Sequence, residues 1–235
     1  MLLALETESD MGGIALVEDA RVIGEHTGLG LRSNGGWLLE GIDRLLAQRQ
    51  TCLEAVTAIA ISIGPGSFTG LRVGLATALG LCFETERLLV PVPTLAALSL
   101  RAAAAQLDPK ARIVPLLDAR KGQVYAGLYG PGAREIEPDR VADPLPWLRG
   151  LSSAGPVWLL GPGAQLYQNE IESVLGSGAS ILPADAGRLC AGEVGLLGER
   201  LLRAGRSLPP AELRLRYLRP AEAQQKRLDS ANRNS

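Results

Sequence analysis

The chain has 235 residues with 24 basic and 25 acidic side chains, so its net charge is −1. This balance argues against a protein that binds nucleic acid on its own through a basic surface. No apolar run reaches the roughly 18 residues of a membrane-spanning helix, and residues 1–6 lack the basic segment of a secretory signal, so the sequence predicts no membrane association.

The first half of the chain alternates strands and helices. Its predicted elements are strands at 2–6, 14–17 and 21–26, a helix at 37–48, a strand at 56–63, a helix at 69–84, a strand at 88–92 and a helix from 93. Short strands joined by tight links predict an antiparallel meander, and the later strands follow helical crossovers. This order is typical of an actin-like, ribonuclease-H-like lobe.

The second half repeats this order after a polar stretch at 106–110. Its predicted elements are strands at 112–117, 123–129, 134–141 and 157–160, a helical turn at 144–149 and helices at 164–175 and 185–204. We therefore predict an α/β protein with a duplicated, two-lobed actin-like fold. The lobes are expected at 1–105 and 106–220, and the tail at 221–235 is expected to be disordered because it has almost no apolar residues.

Residues 62–74, S-I-G-P-G-S-F-T-G-L-R-V-G, are the most distinctive stretch. Its glycines and proline predict a tight turn between a strand and a helix, with Ser67 near the helix N-terminus. In that helix Gly70, Gly74 and Ala78 share one face. Because an interior glycine costs about 1 kcal/mol relative to alanine, we expect another backbone close to this face, either from the chain's own sheet or from a partner helix.

Nucleotide-binding proteins of this fold carry an acidic residue at the end of the first strand of each half, followed by a turn that presents N–H groups to phosphate. These acids are Glu6 and Asp118 here. The turn after Glu6 carries Glu8 and Asp10, whose charges repel a polyphosphate. The turn after Asp118 has two cations and a glycine, which suits phosphate better but also fits a charged surface turn. The candidate positions of a degenerate nucleotide site are Glu6, Thr7, Asp118, Arg120, Lys121 and Gly122.

No set of residues combines a nucleophile, a base and an oxyanion donor, so we predict no catalytic residue. His26 is the only histidine, which excludes a histidine-pair metal site, and the sequence has no G-x-S-x-G motif for a serine hydrolase. The three cysteines are far apart and form no CxxC pair, a pattern typical of reduced thiols in a cytoplasmic protein.

Residues 64–72, G-P-G-S-F-T-G-L-R, resemble the signature of the TsaB family, also called YeaZ. Supporting segments are L-A-L-E-T at 3–7, D-A-R-K-G-Q-V-Y at 118–125 and Y-L-R at 217–219. The sequence departs from the family in two places. Glu6 stands where the family usually has Asp, and R-S-N-G-G at 32–36 stands where it often has a His-Ser pair.

The resemblance implies the actin-like fold and a cytoplasmic, non-catalytic subunit in the synthesis of N6-threonylcarbamoyladenosine at position 37 of tRNAs that read ANN codons. The implied partners are the catalytic paralogue TsaD and the ATPase TsaE, with tRNA reached indirectly through the complex. Self-pairing is expected when the paralogue is absent. No cofactor of its own is expected, and ATP would bind weakly or only at the partner interface.

The resemblance and the small helix face together predict docking on TsaD through the helices at 37–48 and 69–84. The predicted interface residues are Gly64, Pro65, Gly66, Ser67, Phe68, Thr69, Gly70, Arg72, Gly74, Ala78, Trp37, Leu38 and Ile42. Arg72 is expected to pair with an acidic residue. Two other hypotheses stay open: a small-molecule phosphotransferase or ATPase of the same fold, and a glycoprotease-like peptidase, which the lack of a histidine pair opposes.

Overall fold

Two five-stranded sheets form the framework of the protein, which is described here from a computed structural model. The structure describes residues 1–9, 11–27, 36–105, 110–152 and 155–219. The first sheet contains β1 (Leu2–Glu6), β2 (Gly13–Glu18), β3 (Arg21–Thr27), β4 (Ala58–Ser62) and β5 (Leu88–Val92). The second contains β6 (Arg112–Arg120), β7 (Gln123–Gly130), β8 (Arg134–Ala142), β9 (Val157–Leu160) and β10 (Ala179–Ile181).

The two sheets have the same topology. Their strand orders are β3-β2-β1-β4-β5 and, read from the other edge, β8-β7-β6-β9-β10. In each sheet the first strand pairs antiparallel with the second and parallel with the fourth. The repeated topology confirms the predicted two-lobed, actin-like α/β fold. Strand β10 was absent from the prediction, because three residues are too short to show a strand pattern.

The helices follow the predicted order. They are α1 (Gly36–Gln48), α2 (Phe68–Cys82), α3 (Thr94–Ser99), α4 (Pro144–Ser152), α5 (Pro162–Leu166), α6 (Gln168–Leu175) and α7 (Ala191–Arg203). The predicted helix at 164–175 is divided in two at Tyr167, whose φ of −109° and ψ of 26° depart from helical values. The prediction that Asp185 starts the last helix is wrong, because Asp185 binds the amide of Ala186 and Cys190 precedes α7.

Helix α7 comes from the second half of the sequence but packs on the first sheet. Val194 and Leu197 lie in one apolar cluster with Ala4 and Val92. Close packing is possible because α7 presents glycine: a Cβ atom on Gly195 would lie 2.4 Å from a methyl carbon of Val17. The first sheet is therefore covered by α7 on one face and by α1 and α2 on the other.

Alternation along β1 produces these two covered faces. Ala4 belongs to the cluster under α7, whereas Leu3 and Leu5 belong to a second cluster with Leu38 and Ile42 of α1. Successive side chains of a strand point to opposite faces, so a strand buried on both faces is a continuous apolar run.

Some sequence-based expectations concern residues outside the described ranges. These are the carboxylate of Asp10, most of the boundary at 106–110, most of the R-S-N-G-G stretch at 32–36 and the tail at 221–235. Within the described ranges, no helix is long and apolar enough to span a bilayer. The three cysteines are free thiols; Cys82 is buried, Cys190 is partly buried and Cys52 is exposed.

Candidate functional site

The turn that leads into α2 is held by contacts inside the chain. Gly64 has a φ of +111°, and its amide donates to Oγ1 of Thr94 at 3.0 Å. A Cβ atom on Gly64 would lie 2.5 Å from the carbonyl oxygen of Arg216. Ser67 caps the helix as predicted, since its Oγ accepts a hydrogen bond from the amide of Gly70. The signature sequence therefore builds a compact joint between β4, α2 and the C-terminal segment.

The face of α2 that carries Gly70, Gly74 and Ala78 lies against Thr7, in the turn that follows β1. A Cβ atom on Gly70 would lie 1.8 Å from the carbonyl oxygen of Thr7, and one on Gly74 would lie 2.3 Å from Thr7 Oγ1. Ala78 is also fully buried. The sequence left open whether this face is approached by the chain's own backbone or by a partner helix, and the structure shows the chain's own backbone. The prediction that Gly70, Gly74 and Ala78 meet a partner helix is wrong, because Thr7 and the first sheet occupy that space.

Four other predicted interface residues are also buried within the chain. Leu38 and Ile42 lie in the apolar cluster between α1 and the first sheet, with exposed fractions of 0% and 2%. Gly64 and Pro65 are buried in the turn between β4 and α2, residues 63–67, which we call the signature turn. These four residues are buried and therefore unavailable to a partner, so their inclusion in the interface is corrected.

The outer face of α2 is exposed and mostly apolar. We define it by Phe68, Arg72, Ala76, Leu79 and Phe83, which follow one another at helical spacing on the side away from the sheet. The exposed fractions are 36% for Phe68, 36% for Leu79 and 73% for Phe83. Ala76, Leu79 and Phe83 were not among the predicted interface residues. The sequence did contain a signal for them, because a helix with apolar residues on all sides is expected to have a second covered face.

Arg72 binds aromatic groups, which corrects the expectation of an acidic partner. Its guanidinium carbon lies 3.8 Å from the ring centroid of Phe68, a cation–π geometry. Its Nε donates to the hydroxyl of Tyr217 at 3.3 Å, and the Tyr217 ring lies 5.0 Å from that of Phe68. Between α2 and the segment 210–217 is an open groove of about 450 Å³.

Three other predicted interface residues sit beside these surfaces. Trp37 is partly buried, with its ring 2.9 Å from the position of a Cβ atom on Gly12. Thr69 is exposed in the first turn of α2. Gly66 is partly exposed and packs on Glu8.

The carboxylate of Glu6 is buried and occupies its own turn. One oxygen accepts from the amides of Glu8 at 2.7 Å and Ser9 at 3.1 Å, and the other accepts from Ser9 Oγ at 2.9 Å. Burial raises the pKa of Glu6, and the hydrogen bonds from Ser9 and Glu8 oppose that rise. The N–H groups that a phosphate would need in this turn are thus engaged by Glu6.

The turn after Asp118 is a charged surface turn, the second of the interpretations given above. Asp118 accepts from the amide of Arg120 at 2.7 Å and pairs with its guanidinium at 3.3 Å. Arg120, Lys121 and Gly122 all have positive φ. Arg219 binds the two ends of this turn, at the carbonyl oxygen of Ala119 and at Gln123 Oε1. In the described part of the chain, no cluster of three or more His, Cys, Asp and Glu side chains is placed to hold a metal ion.

Comparisons with known proteins agree with this architecture. The family model for TsaD, tRNA N6-adenosine threonylcarbamoyltransferase, matches residues 34–143. The tRNA threonylcarbamoyladenosine biosynthesis protein TsaB of Bacillus subtilis is 30% identical over 97% of this chain and 98% of its own length. The protein of the same name from Haemophilus influenzae is 37% identical over 53% of this chain and 51% of its own.

Structural similarity covers nearly the whole chain as well. The structure of YeaZ from Pseudomonas aeruginosa superposes with a TM-score of 0.76 and 28% identity, covering 92% of this chain and 99% of that one. The signature turn, the repeated sheet topology and the match along the full length of a relative lead to one conclusion: this chain belongs to the TsaB family.

Proposed function

We propose that the chain is a non-catalytic docking subunit in the biosynthesis of threonylcarbamoyladenosine in tRNA. In this proposal it binds the catalytic paralogue TsaD through the outer face of α2 and the exposed side of α1. TsaE joins the complex, and tRNA is reached through the complex at adenosine 37 of tRNAs that read ANN codons. The observation that carries the proposal is the exposed apolar outer face of α2.

The composition of α2 supports a second covered face. The helix has one charged residue, Arg72, and apolar or small residues on every side. Its inner face is already covered by the sheet, so its exposed apolar side chains are the kind of surface that marks an interaction site. Gly80 has no atom within 4 Å of a Cβ position, which leaves room for the close approach of another helix. On α1, Leu39 is 50% exposed and extends the apolar surface.

The occupied turn at Glu6 supports the absence of an independent nucleotide site. A phosphate would have to displace a buried carboxylate from three donors and would meet the charge of Glu8 beside it. We therefore propose that the isolated chain binds no nucleotide tightly, and that any ATP is bound at the interface with the partner.

The proposal is tested by Ala76→Arg, which places a long cation in the centre of the outer face. Ala76 is exposed, so the folded chain should keep its melting temperature. We expect the affinity for TsaD to fall by 10-fold or more, and threonylcarbamoyl transfer to tRNA in the reconstituted system to fall with it. Leu166→Arg is the matched control, because it adds the same cation at an apolar residue that is 58% exposed on α5 in the other lobe.

Two results would contradict the proposal. One is unchanged TsaD affinity and unchanged tRNA modification with the Ala76→Arg variant. The other is ATP hydrolysis or phosphoryl transfer at an enzymatic rate by the isolated chain with Mg²⁺, which would support the phosphotransferase alternative instead.

A further inference from the structure

The C-terminal segment is attached to the first lobe through its backbone. The amide of Arg216 donates to the carbonyl oxygen of Ile63 at 2.8 Å, immediately before the signature turn. The carbonyl oxygen of Arg216 lies against Gly64, in space that only a glycine leaves open. Tyr217 then packs on Phe68 and accepts from Arg72 at the start of α2.

The same segment is attached to the second lobe through its side chains. The guanidinium of Arg216 pairs with Asp139 Oδ2 of β8 at 2.9 Å, and the Asp139 side chain is 0% exposed. The other carboxylate oxygen of Asp139 accepts from the hydroxyl of Tyr129, which is also buried. Loss of the Arg216 guanidinium would leave the buried carboxylate of Asp139 without its cation, which is unfavourable.

Arg219 adds a second attachment to the same lobe. Its guanidinium binds Ala119 and Gln123, at the two ends of the turn between β6 and β7. Four residues, 216–219, therefore contact the signature turn, the outer face of α2, strand β8 and the β6–β7 turn. A segment with this set of contacts bridges the two lobes.

We propose that residues 216–219 form a strap that couples the relative position of the lobes to the ordering of the outer face of α2, with the Arg216–Asp139 ion pair as its joint. The affinity of a partner for that face then depends on the position of the second lobe, and binding of the partner shifts that position in turn. The role of the partner rests on the proposed function, whereas the strap itself is tested on the isolated chain.

Hydrogen–deuterium exchange of the full-length chain tests the strap. Asp139→Asn keeps the side-chain volume and an oxygen for Tyr129 but removes the charge that holds Arg216. We expect amides 71–75 of α2 to exchange at least 5-fold faster, although the substitution is in the other lobe. Arg216→Gln should have the same effect; the Arg216 side chain is 34% exposed in the parent. Amides 71–75 of the double variant should exchange no faster than those of either single variant.

The control is Glu137→Gln on the same strand. It removes a carboxylate from an exposed pair with Arg140 that does not contact the strap, and it should leave amides 71–75 unchanged. Unchanged exchange at 71–75 in both Asp139→Asn and Arg216→Gln would overturn the proposal, as would an equal rise throughout the chain. If Asp139→Asn does not fold, Arg216→Gln decides the question alone.

Adding TsaD separates this inference from the proposed function. Protection of α2 by TsaD supports docking, and slower exchange at amides 139–141 in the same complex supports coupling through the strap. That second protection should be lost in Arg216→Gln. Absence of any protection on α2 would count against docking but leave the result on the isolated chain intact.

Discussion

At the scale of single residues, Glu6 shows how a buried side chain can engage the hydrogen-bond donors of the turn that follows it. Its carboxylate reaches the amides of Glu8 and Ser9, which follow it directly in the chain. An aspartate would place the same oxygens one methylene closer to the backbone. The sequence identified both the position and the departure, but not the hydrogen bonds, because these depend on the conformation of the turn.

Glu6→Gln should change the pH dependence of stability. Since burial raises the pKa of Glu6 above its ordinary value of 4.5, the folded state keeps the proton to a higher pH than the unfolded state. The stabilisation from protonated Glu6 is fully present below pH 4.5 and is lost as pH rises through the pKa that Glu6 has in the folded state. The variant lacks that loss, so its free energy of unfolding should rise relative to that of the parent as pH increases above 4.5.

Urea unfolding at several pH values measures this difference. Glu40→Gln removes an exposed carboxylate of α1 and serves as the control for the change in net charge. Parallel stability curves for Glu6→Gln and the parent would contradict the prediction.

Two glycines of α2 should respond to alanine in opposite ways. Gly70→Ala forces a methyl group onto the carbonyl oxygen of Thr7 and should lower the free energy of unfolding by about 3 kcal/mol. Gly80→Ala places its methyl group in open space and should raise it by about 1 kcal/mol, the difference in helix propensity. Denaturant titration of both variants tests this, and equal effects would show that the inner face is not tightly packed.

At the scale of elements, α2 illustrates what residue spacing can and cannot predict. The spacing of Gly70, Gly74 and Ala78 correctly indicated a face that another backbone approaches closely. It could not identify that backbone, because spacing defines a face and not what covers it. Leu38 and Ile42 on α1 were assigned to the interface for the same reason. The outer face of α2 has a weaker sequence signal, since its apolar residues merge with those of the inner face.

The outer face should also govern self-association. In the absence of TsaD we expect the chain to form dimers through this face, because exposed apolar residues on one side of a helix favour burial against a second copy. Leu79→Ser combined with Phe83→Ser should shift sedimentation velocity profiles toward the monomer, with no loss of melting temperature. A dimer that persists in this double variant would locate the contact elsewhere.

At the scale of the whole molecule, the order of strands and helices in each half was predictable because each half repeats one pattern. The packing of α7 on the first sheet was not predictable. The apolar stripe of α7 fits either sheet, and nothing in the local sequence indicates that it crosses to the first one. The choice is visible only in the contacts of its glycines, because Cβ positions on Gly195 and Gly198 lie 2.4 Å from side-chain carbons of Val17 and Ala60 in the first sheet.

A fragment of residues 1–105 should therefore fail to fold alone. Without α7, the apolar face of the first sheet that contains Ala4, Ala60 and Val92 is exposed to water. We expect no cooperative unfolding transition for the fragment in circular dichroism, and recovery of one when a peptide of residues 188–206 is added. A fragment that unfolds cooperatively without the peptide would show that α7 is dispensable for the first lobe.

The crossing of α7 also has a consequence during synthesis on the ribosome. The first sheet is complete in sequence at Val92, yet the helix that covers it is made roughly 100 residues later, which takes about 5–20 s at ordinary translation rates. For that interval the nascent chain carries an uncovered apolar sheet. Its yield in the cell should consequently depend on chaperones that shield nascent chains, and on the speed with which the ribosome reaches Ala191.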